Sequence, residues 1–153
     1  MKIINKLIKI TPPNYLFFFI LLSAVFYFLL PSLNTIPFKY RVIGIPLILL
    51  GAFLNIWADK IFKKIDTTVK PLKEPSSFSE EGPFEFTRHP MYLGSISILL
   101  GISLGLGNTL SFINPFLMFI ILNYIFIPYE ENSLEKKFKE EYLKYKEKVG
   151  RWV

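Results

Sequence analysis

The chain has 153 residues, 52% of them hydrophobic and 17% aromatic, with a net charge of +6 at pH 7. That apolar share is too high for an ordinary soluble domain and points to the membrane. Cysteine is absent and His89 is the only histidine, which excludes disulfides, a cysteine nucleophile, thiolate metal sites and a polyhistidine centre. No metal is expected.

Three windows carry no charge: residues 10–38, 42–58 and 90–129. One membrane helix needs about 20 apolar residues, so the third window holds two. It divides at the turn-prone run Gly105-Leu106-Gly107-Asn108. The expectation is a single all-α membrane domain over 1–153 with about four transmembrane helices, at 14–31, 39–62, 90–106 and 109–128. A cytoplasmic cap loop and an amphipathic tail helix at 129–150 complete it.

Residues 1–11 form a basic lead-in with Lys2, Lys6 and Lys9. The pattern has a signal-peptide look, but no small-x-small cleavage site follows and the apolar run is long enough to span. Pro12 and Pro13 open the first helix and Pro31 closes it, since proline fits helix ends. In the second helix Pro46 is a potential kink. Gly44 and Gly51 lie seven residues apart, a spacing read as helix packing.

Residues 63–88 hold Pro71, Pro75, Gly82 and Pro83. A loop of this length is uncommon unless functional or disordered, and it is read as an ordered cap anchored by Phe78, Phe84 and Phe86. The third helix starts at Pro90 or Met91, because proline suits the first helical position. Gly101 and Gly105 form a Gly-x-x-x-Gly pair that serves packing or function equally well. Gly94, one turn in, would let a ligand approach the backbone. The fourth helix has Pro115 near its start and is expected to break at Pro128. Beyond it Leu134, Phe138, Tyr142, Tyr145, Val149 and Trp152 recur at steps of three and four, a helical stripe. Glu135–Lys139 and Glu140–Lys144 are i,i+4 pairs on the opposite face.

Four spans return the N-terminus, the central loop and the tail to one side of the membrane. That side carries 16 of the 18 lysines and arginines; Lys39 and Arg41 lie on the other. The positive-inside rule puts both termini in the cytoplasm. The basic residues flank apolar spans, so anionic headgroups rather than nucleic acid are the expected partners. Oligomeric state is not legible.

The same hairpin returns Glu130 and Glu131 to the membrane face of Arg88 and His89. Arg88, His89 and the N-terminus of the third helix suit a carboxylate or phosphate; equally, Arg88 can snorkel to headgroups while His89 caps the helix. Two carboxylates at the end of a span need partners such as ligand hydroxyls, backbone N–H groups or Arg88, or they are a solvated helix start. Tyr92 offers a hydroxyl or a ring face, or is an ordinary interfacial tyrosine.

Arg88-His89-Pro90-Met91-Tyr92-Leu93-Gly94, with Gly101 seven residues later, resembles the Arg-His-Pro-x-Tyr-x-Gly signature of the isoprenylcysteine carboxyl methyltransferase and phospholipid N-methyltransferase superfamily. Glu130-Glu131-x-x-Leu134, followed by Phe138, Tyr142, Tyr145, Val149, Arg151 and Trp152, is similar to its second block. The resemblance covers about residues 65 to 152, including Thr67-Thr68-Val69-Lys70-Pro71. It departs at Phe138-Lys139, where the family usually has Phe-Gly, and at Val153, where a proline often follows Arg-Trp. The resemblance implies an integral membrane enzyme that uses S-adenosylmethionine to methylate a lipid or lipid-modified carboxylate or amine. It implies Arg88 and Tyr92 as catalytic residues, and Arg88, His89, Pro90, Tyr92, Gly94, Gly101, Glu130 and Glu131 as cofactor contacts. The competing readings are a nicotinamide-dependent membrane reductase of sterol-reductase type and a non-catalytic membrane protein.

Overall fold

The computed structural model describes residue 8, residues 10–65 and residues 77–153. Among these, every regular element is helical. Helix α1 is Pro12–Leu29; α2 is Gly44–Lys64, prefaced by a single turn, Phe38–Arg41; α3 is Pro90–Leu106. A 3-10 turn, Thr109–Phe112, leads into α4, Ile113–Ile121; a π-helical turn, Leu122–Phe126, joins α4 to α5, Ile127–Phe138; α6 is Glu140–Lys148. By length and composition Pro12–Leu29, Phe38–Lys64 and Thr109–Phe138 can each cross a membrane, and α3 is a shorter apolar helix of 17 residues. At 1.5 Å per residue α3 is about 25 Å long. The protein is an all-α integral membrane protein. Phe17, Phe18, Leu49, Phe53, Ile56 and Phe116 point outward, which suits helices solvated by lipid.

Backbone contact between α2 and α3 forms the tightest joint. The two helices run antiparallel, with Gly44 beside Gly101 and Gly51 beside Gly94. A side-chain carbon on Gly51 would land on the Gly94 carbonyl oxygen, and one on Gly44 would land on that of Gly101. Lipid supplies no hydrophobic drive between helices, so close backbone packing has to hold them. The glycines of α2 thus serve packing, as their spacing implies. Gly105 has open space where its side chain would be, so the partner of Gly101 along α3 is Gly94 and not Gly105. On its other sides α3 meets α1 and α4, around Phe19, Leu99, Met118, Leu122 and Phe126.

The expected break at Pro128 is not there. Helix continues from Ile113 to Phe138 because the wider π-helical turn ends just before the proline, which then falls in the first turn of α5; a missing N–H is tolerated there. The break comes at Lys139, whose φ is 47°, so the separate tail helix begins at Glu140 rather than Tyr129. Glu135 consequently pairs with Lys146 at 2.5 Å instead of with Lys139. Pro46 lies in the first turn of α2, where it removes no helical bond and has no interior to kink.

Of the cap, Phe84 is buried and Phe78 packs against Phe138, Tyr142 and Tyr145. Phe86 is 66% exposed and anchors nothing. Thr67 to Pro71 and Pro75 lie outside the described residues. The tail stripe closes on the cap through Leu134, Phe138, Tyr142, Tyr145 and Val149, around Ala58 and Phe84. Trp152 leaves that cluster and packs on Phe119.

At the opposite end of the bundle, the α3–α4 turn is tied down by neutral groups. Asn108 donates to the carbonyls of Phe26 and Leu30, both at 3.2 Å, and to Asn34 at 2.8 Å. Its own carbonyl accepts from the Leu110 N–H at 3.1 Å. One turn deeper, Asn114 donates to the Ser23 hydroxyl at 2.7 Å. Meanwhile Tyr15, near the start of α1, stacks edge-on with Phe126. Thus α1 begins near the Arg88 end of the bundle and finishes near Asn108.

Candidate active site

Arg88 and His89 lie in the short non-helical link between the 3-10 turn Gly82–Glu85 and α3. The Thr87 hydroxyl accepts from the His89 N–H at 3.2 Å and donates to the Arg151 carbonyl at 3.1 Å. The Arg88 N–H donates to the Gly150 carbonyl at 3.1 Å. The end of the chain is thereby stitched across the start of α3.

Glu131 is the centre of the cluster and is 3% exposed. One of its oxygens meets Arg88 Nη2 at 2.8 Å; the other meets Arg151 Nη2 at 2.7 Å. Lys146 Nζ is 4.0 Å away and His89 Nε2 is 3.5 Å away. Burying a carboxylate is costly, and it is tolerated here because cations surround it. Arg88 is almost wholly committed. Its Nη1 donates to the carbonyls of Lys146 and Val149 at 3.0 and 3.1 Å, and its Nε is buried without a partner.

Glu130 differs from its neighbour in sequence. Its side chain keeps 24% exposure and lines a cleft with Phe62, Phe84, Arg88, His89, Pro90, Met91 and Tyr92. The cleft encloses about 330 Å³ of free space, open solvent included. The Tyr92 hydroxyl donates to one oxygen of Glu130, and the other lies 3.7 Å from His89 Nδ1. The rings of His89 and Tyr92 stack in parallel, with centroids 5.5 Å apart. His89 Nε2 is buried without a hydrogen-bond partner, since the approach to Glu131 lacks hydrogen-bond geometry.

The structure therefore brings together Arg88, His89, Pro90, Tyr92, Glu130 and Glu131, from two ends of a 40-residue uncharged stretch. Gly94 and Gly101 stand apart. The side of Gly94 that lacks a side chain faces Gly51 and the Asn55 amide, and that of Gly101 faces Gly44 and Ile48. Close approach of α2, rather than of a ligand, uses the missing side chain at Gly94. Sequence reasoning missed Asn123, whose Oδ1 accepts from Trp152 Nε1 at 3.1 Å and from Arg151 at 3.5 Å. An isolated polar residue in an apolar span was its one signal.

Behind the cluster, burial raises the Tyr142 phenol well above the usual tyrosine range, helped by the negative charge of Glu131 and opposed by Arg88. Burial likewise raises Tyr145, whose hydroxyl donates to the Phe84 carbonyl at 2.8 Å. Both rings stay neutral and pack on Phe78 behind the cluster, outside the lining of the cleft.

The family model for phospholipid methyltransferase matches residues 40–141, from the turn before α2 into α6. An uncharacterized protein of Haemophilus influenzae (strain ATCC 51907 / DSM 11121 / KW20 / Rd) is 43% identical over 63 residues, which is 100% of that protein and 41% of this chain. No solved structure matches. With the family match covering 102 of 153 residues, including Arg88, His89, Glu130 and Glu131, the chain belongs to the phospholipid methyltransferase family and is a membrane methyltransferase.

Proposed function

We propose that the protein transfers a methyl group from S-adenosylmethionine to a lipid or lipid-modified acceptor, carboxylate or amine, at the cytoplasmic face of the membrane. The observation that carries this is the cleft at the helix mouth, where Glu130 and His89 keep unused hydrogen-bonding capacity beside aromatic walls. Those residues fit the cosubstrate. The Glu130 carboxylate suits its ribose hydroxyls or its amino group, and the rings of Phe62, Phe84 and Tyr92 suit a cationic sulfonium and an adenine. Arg88 Nε is the unmatched donor for a carboxylate.

S-adenosylmethionine supplies an electrophilic methyl group on a positively charged sulfur. The chain's own task is to position and to keep water out. Tyr92 holds the Glu130 carboxylate in place, and the Glu131 cluster holds Arg88 and His89. Phe62, Phe84 and Met91 present an apolar approach suited to a lipid. The orientation is inferred from charge in the sequence: four spans would assign 16 of the 18 lysines and arginines to the side that carries the cleft. Those same side chains suit anionic headgroups.

The test is calorimetry on detergent-purified protein with S-adenosylmethionine, alongside NADPH and a Glu130→Gln variant. The expected result is binding of S-adenosylmethionine and not NADPH, weakened at least about tenfold in the variant, which loses a charged hydrogen-bond acceptor. Binding of NADPH alone, or of neither by a folded protein, overturns the reading. Labelled methyl transfer into membrane extracts then identifies the acceptor.

A further inference from the structure

We infer that Asn123 is a positioning residue for the cleft, acting through the last residues of the chain. Asn123 sits in the π-helical turn Leu122–Phe126. Such a turn inserts an extra residue into the helix and is frequent at functional sites. A second observation is independent of that geometry. The Asn123 carbonyl oxygen takes the Trp152 indole N–H at 3.1 Å and an Arg151 nitrogen at 3.5 Å. The Trp152 ring also lies on Phe119, centroid to centroid 5.0 Å.

One guanidinium therefore bridges two residues of the same membrane-spanning segment. Arg151 Nη1 is on Asn123, while its Nη2 and Nε are on Glu131 at 2.7 and 3.4 Å. Glu131 in turn holds Arg88, and Arg88 and His89 line the cleft. The side chain of Arg151 is 35% exposed, so water competes for it. An exposed arginine loses much rotamer freedom when held in one geometry. Asn123 and the Trp152 dock offset that cost by limiting where residue 151 can go. Asn123 itself is not among the residues that line the cleft. Its effect on ligand is indirect, through Arg151 and Glu131.

The ligand arm of this inference rests on the proposed use of S-adenosylmethionine; the tether itself does not. In a Trp57→Phe background Trp152 is the sole tryptophan, and its emission reports docking. Asn123→Ala is expected to shift that emission to the red and to weaken S-adenosylmethionine binding about tenfold, while Asn123→Asp, which keeps an acceptor oxygen, restores both. Unchanged emission overturns the inference, and so does a red shift with unchanged binding. If the wild-type protein binds no S-adenosylmethionine, the proposed function falls. Asn123 is then judged by a double-mutant cycle with Glu131→Gln, read as thermal midpoints. Coupled losses support the link to Glu131, and additive losses overturn it.

Discussion

At the α3–α4 turn the buried polar groups are neutral amides and hydroxyls, whereas at the mouth formed by α3, α5 and α6 they are charged. Asn108 uses its donors on Phe26, Leu30 and Asn34 and its carbonyl on Leu110. Unpartnered buried atoms occur at both ends: Asn114 Oδ1 one turn below the α3–α4 turn, and Arg88 Nε, His89 Nε2 and the Tyr142 hydroxyl at the mouth, so it is the buried ions of the mouth that set the two apart. The first end is a joint: neutral amides bond to backbone carbonyls that would otherwise be orphaned at the end of α1, and the cation beside it, half-buried Arg41, donates to the Ile36 carbonyl at 2.8 Å. The second end carries buried charge that a joint would not need. Ions in a membrane protein are expensive and mark function by default. The contrast supports the proposed site at the mouth independently of the family match.

The largest effect is expected where the charged end is broken at its centre. Glu131→Ala leaves Arg88 buried and Arg151 half-buried without their carboxylate, at a cost of about 3–5 kcal/mol. Thermal or denaturant unfolding in detergent checks it, and a variant as stable as the parent would remove Glu131 from the centre. Next is the neutral end. Asn108→Ala is expected to cost about 1–3 kcal/mol, because several buried acceptors lose their donor together, while ligand binding by any folded variant stays at the parent level. Loss of binding there would erase the distinction between the two ends.

Glu130→Gln sharpens the contrast between adjacent residues. It is expected to change stability by less than about 1 kcal/mol, since an amide still accepts from Tyr92, yet to weaken ligand binding. Calorimetry and unfolding on one preparation separate the two. The smallest effect is expected for Tyr142→Phe, within about 0.5 kcal/mol of the parent or slightly stabilising, because its buried hydroxyl has no partner to lose. The parent should also lose stability as pH climbs past the ordinary tyrosine value of 10.0. There the unfolded phenol releases its proton while the folded one, with its pKa raised, retains it. Tyr142→Phe makes that alkaline decline shallower, with Tyr145 keeping the remainder, as followed by unfolding across the pH range.

Much of this was legible beforehand, for identifiable reasons. Apolar run length sets helix count, and charge position sets which ends group together, so four spans are expected at 14–31, 39–62, 90–106 and 109–128; the helices are Pro12–Leu29, Gly44–Lys64, Pro90–Leu106 and a last segment that runs on to Phe138. The meeting of Arg88 and His89 with Glu130 and Glu131 follows as well, because an uncharged 40-residue stretch has to fold back as a hairpin. Pro128 misled, because a proline's missing N–H breaks a regular helix only if no wider turn absorbs it. Phe86 misled too, because aromatic character alone does not say which side of a short turn faces the cap.

Hydropathy and chain order, which are local, alone specify an all-α membrane architecture, the hairpin, and the meeting of Arg88 and His89 with Glu130 and Glu131. It took the packed helices to enclose Glu131 while Glu130 faces the cleft, to set Gly94 against Gly51, and to bring Lys146 and Arg151 to Glu131 and Asn123 to Arg151 and Trp152. Each depends on how one helix is rotated about its axis against another. A single residue is a turn of about 100° at 3.6 residues per turn, so adjacent side chains such as Glu130 and Glu131 receive opposite surroundings.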